Sequence, residues 1–300
     1  MPSRLKNALF ALSLLTSMDA VAQPADPAPA VAPAKPAFAN PGMNVYRRFD
    51  ATLTGEMVKF YEQALGLKPL QPIQLNANQQ MILFGVGHQQ IKLAAGLKDG
   101  RQYQIGKGVN EAVGIRLYAL QFADEAALTA RFTAAGYAAP SFKDMGGGKR
   151  GALVRDPAGF HIELVIAPDP APGVEVGINV SDIKRSRAFY REFVGLEELP
   201  PVEDKLLGVT KYPYRHGETV LTLWQAGKKL PADTGSAGIQ YVISNVDAVN
   251  ARALARKVAV EEPLGGLPNF SIRFVWLNDA DGVTNYFAQQ GARQSASAGQ

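Results

Sequence analysis

One feature limits what this chain can fold into: it repeats itself, and the repeat carries two landmarks. FYEQALGL at Phe60–Leu67 returns as FYREFVGL at Phe189–Leu196, and RDPAGFHIEL at Arg155–Leu164 returns, more worn, as NDADGVTNYF at Asn278–Phe287. Two different landmarks recurring in the same order, at an offset of about 125 residues, indicate a duplicated unit. A length of 300 residues agrees with two domains rather than one.

The first residues read as a targeting segment. Arg4 and Lys6 precede the apolar stretch Ala8–Leu15, and Ala20-Val21-Ala22 forms a small-residue cleavage site. Residues 1–22 are therefore expected to be a cleaved signal peptide, with the mature protein periplasmic or secreted and starting at Gln23. Residues 23–42 are rich in alanine and proline, which suits an extended linker. Residues 291–300 are expected to be a flexible tail. No second apolar run is long enough to span a bilayer.

The sequence has no cysteine, which excludes disulfides, thiolate chemistry and a lipid-modified cysteine. Residues 1–22 contain Arg4, Lys6 and Asp19, so their removal leaves 29 basic and 26 acidic residues, a net +3. That dispersed excess gives no basis for nucleic-acid binding.

Alternation and helical spacing locate the elements. In Val174–Ser181, Val174, Val176, Ile178 and Val180 share one face of a strand, while Glu175, Gly177 and Asn179 share the other. Met57, Phe60, Tyr61 and Ala64 fall at i, i+3, i+4 and i+7, and Ser186, Phe189, Tyr190 and Phe193 repeat the spacing of a buried helical stripe. Gly66 and Gly195 stand where a helix C-cap wants a left-handed residue. Further strand pairs surround the turns Gly87-His88 and His216-Gly217. Strands at Val113–Leu120 and Ile239–Ser244 then start each pattern again, and the halves close with Phe160–Ile166 and Val283–Gln289. The unit is a strand, a helix and about three strands, and it occurs four times.

With FY…LGL after the first strand and DPxGxxIEL on the last, the chain resembles the vicinal oxygen chelate superfamily of glyoxalases, bleomycin-resistance proteins and extradiol dioxygenases. The resemblance implies an α+β fold of four βαβββ modules. These form two tandem domains, 43–168 and 173–290, with concave mixed sheets. How the four modules pair stays open.

The resemblance also implies a divalent metal held by positions on the first and last strands of each module. Here those positions fall on Tyr46, Lys92, Ala112 or Gly114, and Glu163 in the first half. In the second half they fall on Glu175, Thr222, Gly238 and Tyr286. Glu163 and Glu175 are the credible ligands, with His161 on the same strand face as Glu163. A site of His161, Glu163 and Glu175 would require the two halves to share a pocket. Lys92 at such a position repels a cation. The expectation is therefore no metal and no other cofactor, with a divalent metal as the minority reading.

What the cups retain is an aromatic and polar lining: Tyr46 and Arg48 with Asp50 on one strand face, then Lys92, His161, Trp224 and Tyr286. Such a lining suits a small, partly apolar ligand. Glu163 and Glu175 are candidate acid–base residues, since mutual repulsion raises the pKa of one of two adjacent carboxylates. GGGKR at Gly146–Arg150 lacks phosphate-loop spacing and reads as a hairpin with Lys149 and Arg150 in solvent. Three functions stay open: metal-free binding of a small organic molecule, a metal-dependent lyase, isomerase or dioxygenase around Glu163 and Glu175, and a structural or partner-binding role in the cell envelope. The oligomeric state is not indicated.

Overall fold

The computed structural model describes residues 34–76, 79–95, 108–267 and 270–291, all within the unit Pro33–Gln300. The expected signal peptide, the linker up to residue 33 and the tail from residue 292 lie outside the described residues.

Four modules follow one another. The first is β1 (Asn44–Phe49), α1 (Thr54–Lys59), β2 (Lys68–Asn76), β3 (Gln79–Val86) and β4 (Gln89–Ala95). The second is β5 (Gly114–Phe122), α2 (Glu125–Ala134), β6 (Lys143–Gly146), β7 (Lys149–Arg155) and β8 (His161–Ile166). The third holds β9 (Val174–Asn179), α3 (Ile183–Ala188), β10 (Glu197–Glu198), β11 (Val202–Asp204), β12 (Val209–His216) and β13 (Thr219–Trp224). The fourth is β14 (Ala237–Val242), α4 (Val246–Ala255), β15 (Ala259–Leu267), β16 (Ile272–Asn278) and β17 (Thr284–Gln290). Asp124, Asp182 and Asn245 cap the helices α2, α3 and α4 by accepting backbone N–H bonds in the first turn.

The modules pair crosswise. One sheet runs β15-β16-β17-β14-β1-β4-β3-β2, so module one shares it with module four. The other runs β10-β12-β13-β9-β5-β8-β7-β6, joining modules two and three, with β11 beside β12. At each centre two first strands meet antiparallel, Tyr46 opposite Gly238 and Ala119 opposite Glu175. Each first strand is flanked on its other side by its own module's last strand, in parallel. Each sequence half therefore contributes one module to each sheet, and each cup is built from both halves.

The landmarks explain their own recurrence. Asp156 Oδ1 accepts from Ala158 N and Phe160 N, both at 3.0 Å, while Asp279 Oδ1 accepts from Asp281 N at 2.8 Å and Val283 N at 2.9 Å. Gly159 and Gly282 close these turns at φ +85°, a conformation that a side chain disfavours. The second carboxylate oxygen of each aspartate faces the other landmark. Tyr61 Oη donates to Asp156 Oδ2 at 3.1 Å, and Tyr190 Oη to Asp279 Oδ2 at 3.0 Å. Burial pushes Asp279 up to about 6 despite these donors. The tyrosines stand on wider, π-type turns, Phe60–Ala64 and Phe189–Val194, that continue α1 and α3.

The stripe expected of the first helix is fully buried: Met57, Phe60, Tyr61 and Ala64 are all at 0–1% exposure. The second stripe departs from the expectation at one position. Phe189 is half-buried, stacked on Phe193 at 5.3 Å, while Tyr190 takes the deep position. Part of the expected linker is also packed rather than extended: Phe38 bridges to Ile243, Ala39 N bonds Val242 O at 2.9 Å, and the Phe38 ring lies 3.9 Å from that of His216. The turn histidines hold long-range contacts, His88 to another module and His216 to the segment before β1. His88 pairs with Glu218, and His216 Nε2 meets Asn40 O at 2.6 Å. The GGG segment is a β6–β7 hairpin turn with Lys149 and Arg150 exposed.

Tyr190→Phe should cost about 1–3 kcal/mol of stability, because it leaves a buried carboxylate oxygen without its donor. Tyr137→Phe, which removes a surface hydroxyl bonded to Glu56 O, should stay within about 0.5 kcal/mol of the parent. Urea unfolding of both variants measures the difference. A Tyr190→Phe protein as stable as the parent would show that the landmark contact contributes nothing.

Candidate functional site

The two cups have diverged. In the cup of modules one and four, β1 presents Tyr46 and Arg48, with Lys92 and Ala94 beside them on β4. From the other side β14 presents Gln240 in register with Tyr286 on β17, which lies opposite Trp276 on β16. These residues line a cavity of about 380 Å³, completed by Ile73, Leu75 and Met81 and by the rim residues Leu267 and Phe270. Gly238 lets the Tyr46 ring lie across the neighbouring strand, since a Cβ there would come within 2.4 Å of that ring.

The walls of this open cup are apolar on one side and aromatic on the other. Trp276 lies 5.9 Å from Tyr46 and 5.2 Å from Tyr286, ring centre to ring centre, and the Arg48 guanidinium stands 5.6 Å over the Trp276 ring. Lys92 Nζ donates to Gln240 Oε1 at 2.6 Å, an oxygen that also accepts from Asn44 Nδ2 at 3.1 Å. By surface area Lys92 is only half-buried, because its exposed part faces the cavity. Its ammonium is nonetheless desolvated, which lowers its pKa to about 8. Burial raises the Tyr46 phenol well above its ordinary value and pushes Tyr286 up to about 12. Tyr46 Oη is near Thr284, whose hydroxyl is committed to Glu261 at 2.7 Å, so the phenol closes no well-formed hydrogen bond among the described residues.

The cup of modules two and three is filled. Leu206, Leu207, Val209 and Val109 pack onto Trp224, Leu117 and Ala119. Trp224 Nε1 donates to Asn110 Oδ1 at 2.8 Å, and Asn110 Nδ2 donates to Leu207 O at 3.1 Å, which ties the covering segments together. Beneath this plug sits Lys211 of β12. Its ammonium is 2.6 Å from Asp204 Oδ2, 3.0 Å from Glu163 Oε2 and 3.7 Å from Glu175 Oε1, and Thr222 Oγ1 donates to Glu175 at 2.5 Å. Burial opposes the charge on Lys211, but Glu175, Glu163 and Asp204 together raise its pKa well above the usual lysine value. Burial raises Glu163 to about 7, with Lys211 opposing and Glu175 adding to the rise. Both directions are consistent with one charge balance: one ammonium serves three carboxylates, and a proton on Glu163 relieves the excess.

The residues singled out in the sequence divide between the cups. Tyr46, Arg48, Lys92 and Tyr286 come together in the open one. His161, Glu163, Glu175 and Trp224 belong to the closed one, where His161 and Glu163 are buried and Trp224 is part of the plug. Glu163 and Glu175 flank Ala119 on neighbouring strands, so the two halves do share that pocket. The third metal position was expected at Ala112 or Gly114. The residue in register with both glutamates is Ala119, further along β5. Asp50 caps the turn after β1 by accepting from Thr52 N and does not line the cavity. Trp276, Gln240 and Lys211 were missed, although Trp276 and Phe274 alternate within RFVWLN.

The donor sets do not fit a divalent metal. The open cup offers Tyr46, Lys92, Gly238 and Tyr286, with an ammonium and no carboxylate among them. In the closed cup the carboxylates hold an ammonium at the point where a cation would sit. No group of three histidine, aspartate or glutamate side chains among the described residues has metal-holding geometry.

Residues 54–164 and 174–287 match the family model of the Glyoxalase/Bleomycin resistance protein/Dioxygenase superfamily, and the chain belongs to that superfamily. A lactoylglutathione lyase of Arabidopsis thaliana is 28% identical over 150 residues, 46% of this chain and 52% of that protein. A putative lactoylglutathione lyase of Brassica oleracea is likewise 28% identical over 149 residues, so the chain spans about half the length of the curated relatives it matches. Glyoxalase I from Zea mays superposes with a TM-score of 0.66 at 19% identity, covering 83% of this chain and 92% of that one. A putative dioxygenase from Bacillus subtilis gives 0.57 at 15% identity, covering 86% and 87%. At these identities the two structures establish a shared fold.

Lys211→Met should destabilise the protein by about 3–5 kcal/mol at pH 8, since it strands buried carboxylates without their counter-charge. Glu163 is already raised in the folded state, so protonation favours folding. The deficit should be smallest near pH 5 and complete above pH 7, where the carboxylates must ionise. Denaturant unfolding at the two pH values measures this. A variant equally stable at both would contradict the charge balance.

Proposed function

We propose that this member of the superfamily binds a small, partly apolar organic molecule in the open cup of modules one and four, without a metal. The asymmetry of the cups supports this reading. One cup is filled by its own leucines and its own ammonium, while the other keeps a cavity of about 380 Å³ between an aromatic wall and an aliphatic one. A few polar groups set in a mainly apolar concavity are the usual composition of a small-molecule site. The order of basic, apolar and small residues in 1–22 supports export, so the ligand would be met outside the cytoplasm.

A metal-dependent lyase, isomerase or dioxygenase centred on Glu163 and Glu175 is the weaker reading, because both carboxylates engage Lys211 beneath the plug. A purely structural role in the envelope leaves the open, aromatic-walled cavity without a use.

Thermal unfolding with a panel of uncharged and charged bicyclic aromatics distinguishes these readings. A probe at a hundred times its Kd should add about 2.7 kcal/mol of stability, a Tm rise of several degrees. Trp276→Ala should weaken binding at least tenfold, whereas Thr222→Ala in the closed cup should leave affinity unchanged. A flat response to the whole panel would favour the structural role.

A further inference from the structure

We infer that the open cup selects ligands whose aromatic or apolar body carries an anionic oxygen head, a carboxylate or an equivalent oxyanion, and that Lys92 is the group that receives it. This rests on the reading of the open cup as a binding site and assigns the class of its ligand.

Lys92 carries three N–H donors, and its partner is the neutral oxygen of Gln240, which already serves Asn44. No carboxylate among the described residues lies within ion-pair distance of Lys92. The other ammonium in the protein's cups, Lys211, has three carboxylates around it. Behind the cavity wall, Tyr46 Oη and Trp276 Nε1 are buried donors without acceptors among the described residues. No carboxylate stands among the described residues of the lining. A desolvated ammonium without a counter-ion is costly, and an incoming anion removes that cost.

The other groups facing Lys92 do not cancel this preference. Tyr46 on β1 and Tyr286 on β17 are both raised and neutral at physiological pH. Arg48 adds a positive charge over the Trp276 face. Glu261 on β15 is the acidic group felt at Tyr46, and it accepts from Thr284. The charged side chains among the described lining residues, Arg48 and Lys92, are both cations. Leu83 and Ile91, opposite one another's neighbours on β3 and β4, bring no charge. The geometry places the ligand's head beside Lys92 and Gln240, with its ring against Trp276 and Tyr286.

Protonation gives the preference a pH signature. Anion binding uses the ammonium, which in the empty cup titrates at about 8, so affinity is constant below that pH and falls above it. From pH 7 to pH 9 the protonated fraction drops about tenfold, and the Kd of an anionic ligand should rise about tenfold with it.

Isothermal titration of the full mature protein with 2-naphthoate, 2-naphthalenemethanol and 2-naphthylmethylammonium tests this, because the three share a body and differ in the head. The expected order has naphthoate at least tenfold tighter than the alcohol, and the ammonium weakest. Lys92→Met should abolish naphthoate's advantage over the alcohol and its pH dependence. Circular dichroism and an unchanged Tm check that the variant folds, and the pH series on the native protein tests the same point without any substitution. Equal binding of acid and alcohol, or tighter binding of the ammonium, would overturn the inference and leave the pocket reading standing. Failure of all three probes to bind would overturn both.

Discussion

The fold depends on a contact between the two landmarks that mark each half: a tyrosine hydroxyl on a π-type turn and an aspartate in the turn before a last strand. Because the modules pair crosswise, each such bond joins the two sheets. Tyr61 belongs to module one and Asp156 to module two, which lie in different sheets; Tyr190 and Asp279 link modules three and four in the same way. Buried, charge-assisted hydrogen bonds of this kind contribute about 1.5–3 kcal/mol each. Arg47 strengthens the first of them. Its Nη1 lies 2.9 Å from Asp156 Oδ2, an ion pair by distance without hydrogen-bond alignment, and its guanidinium packs 4.7 Å over the Phe160 ring. Gln89 acts beside it, accepting from Val174 N at 2.9 Å and reaching Met43 and Thr219 with its amide nitrogen. With the sheets held back to back, their other faces are free to form cups.

The two cups differ in character. One has turned inward: its glutamates, placed where the superfamily resemblance expects metal ligands, neutralise a lysine of the same chain under a leucine plug. Such a cluster costs desolvation and is retained only because its members satisfy one another. The other has no carboxylate among its described lining residues and carries rings and two cations instead. The first cup is packed and internally neutralised, and the second keeps its cavity.

Periodicity carried much of this. The alternation in Val174–Ser181 assigned the core face and the cup face of β9 correctly, and the helical spacing found the buried stripe at Met57, Phe60, Tyr61 and Ala64. Tyr46, Arg48, Lys92 and Tyr286 were found because they are in phase with the first and last strands. Trp224 was equally in phase yet lies in the other cup, because strand phase says which face a residue takes and nothing about which module will sit across from it. The pairing of modules is made where first strands meet, β1 with β14 and β5 with β9, and alternation within one strand does not name its neighbour. Lys211 was not recognisable for a related reason: in VTKYPYRH it reads as one cation on an ordinary hairpin strand, and only the fold brings Asp204, Glu163 and Glu175 to it. Phe189 shows the limit of the repeat itself, since a position that is buried in one copy is half-buried in the other.

We propose that the carboxylates of the closed cup hold an internal ammonium in place of a metal and that the open cup binds its ligand without one. Elemental analysis of the native protein, purified without chelator, tests it most directly. Zinc, nickel, iron and manganese are expected well below stoichiometric amounts, unchanged by Glu163→Gln or Glu175→Gln. One equivalent of any of these metals, lost on either substitution, would contradict it.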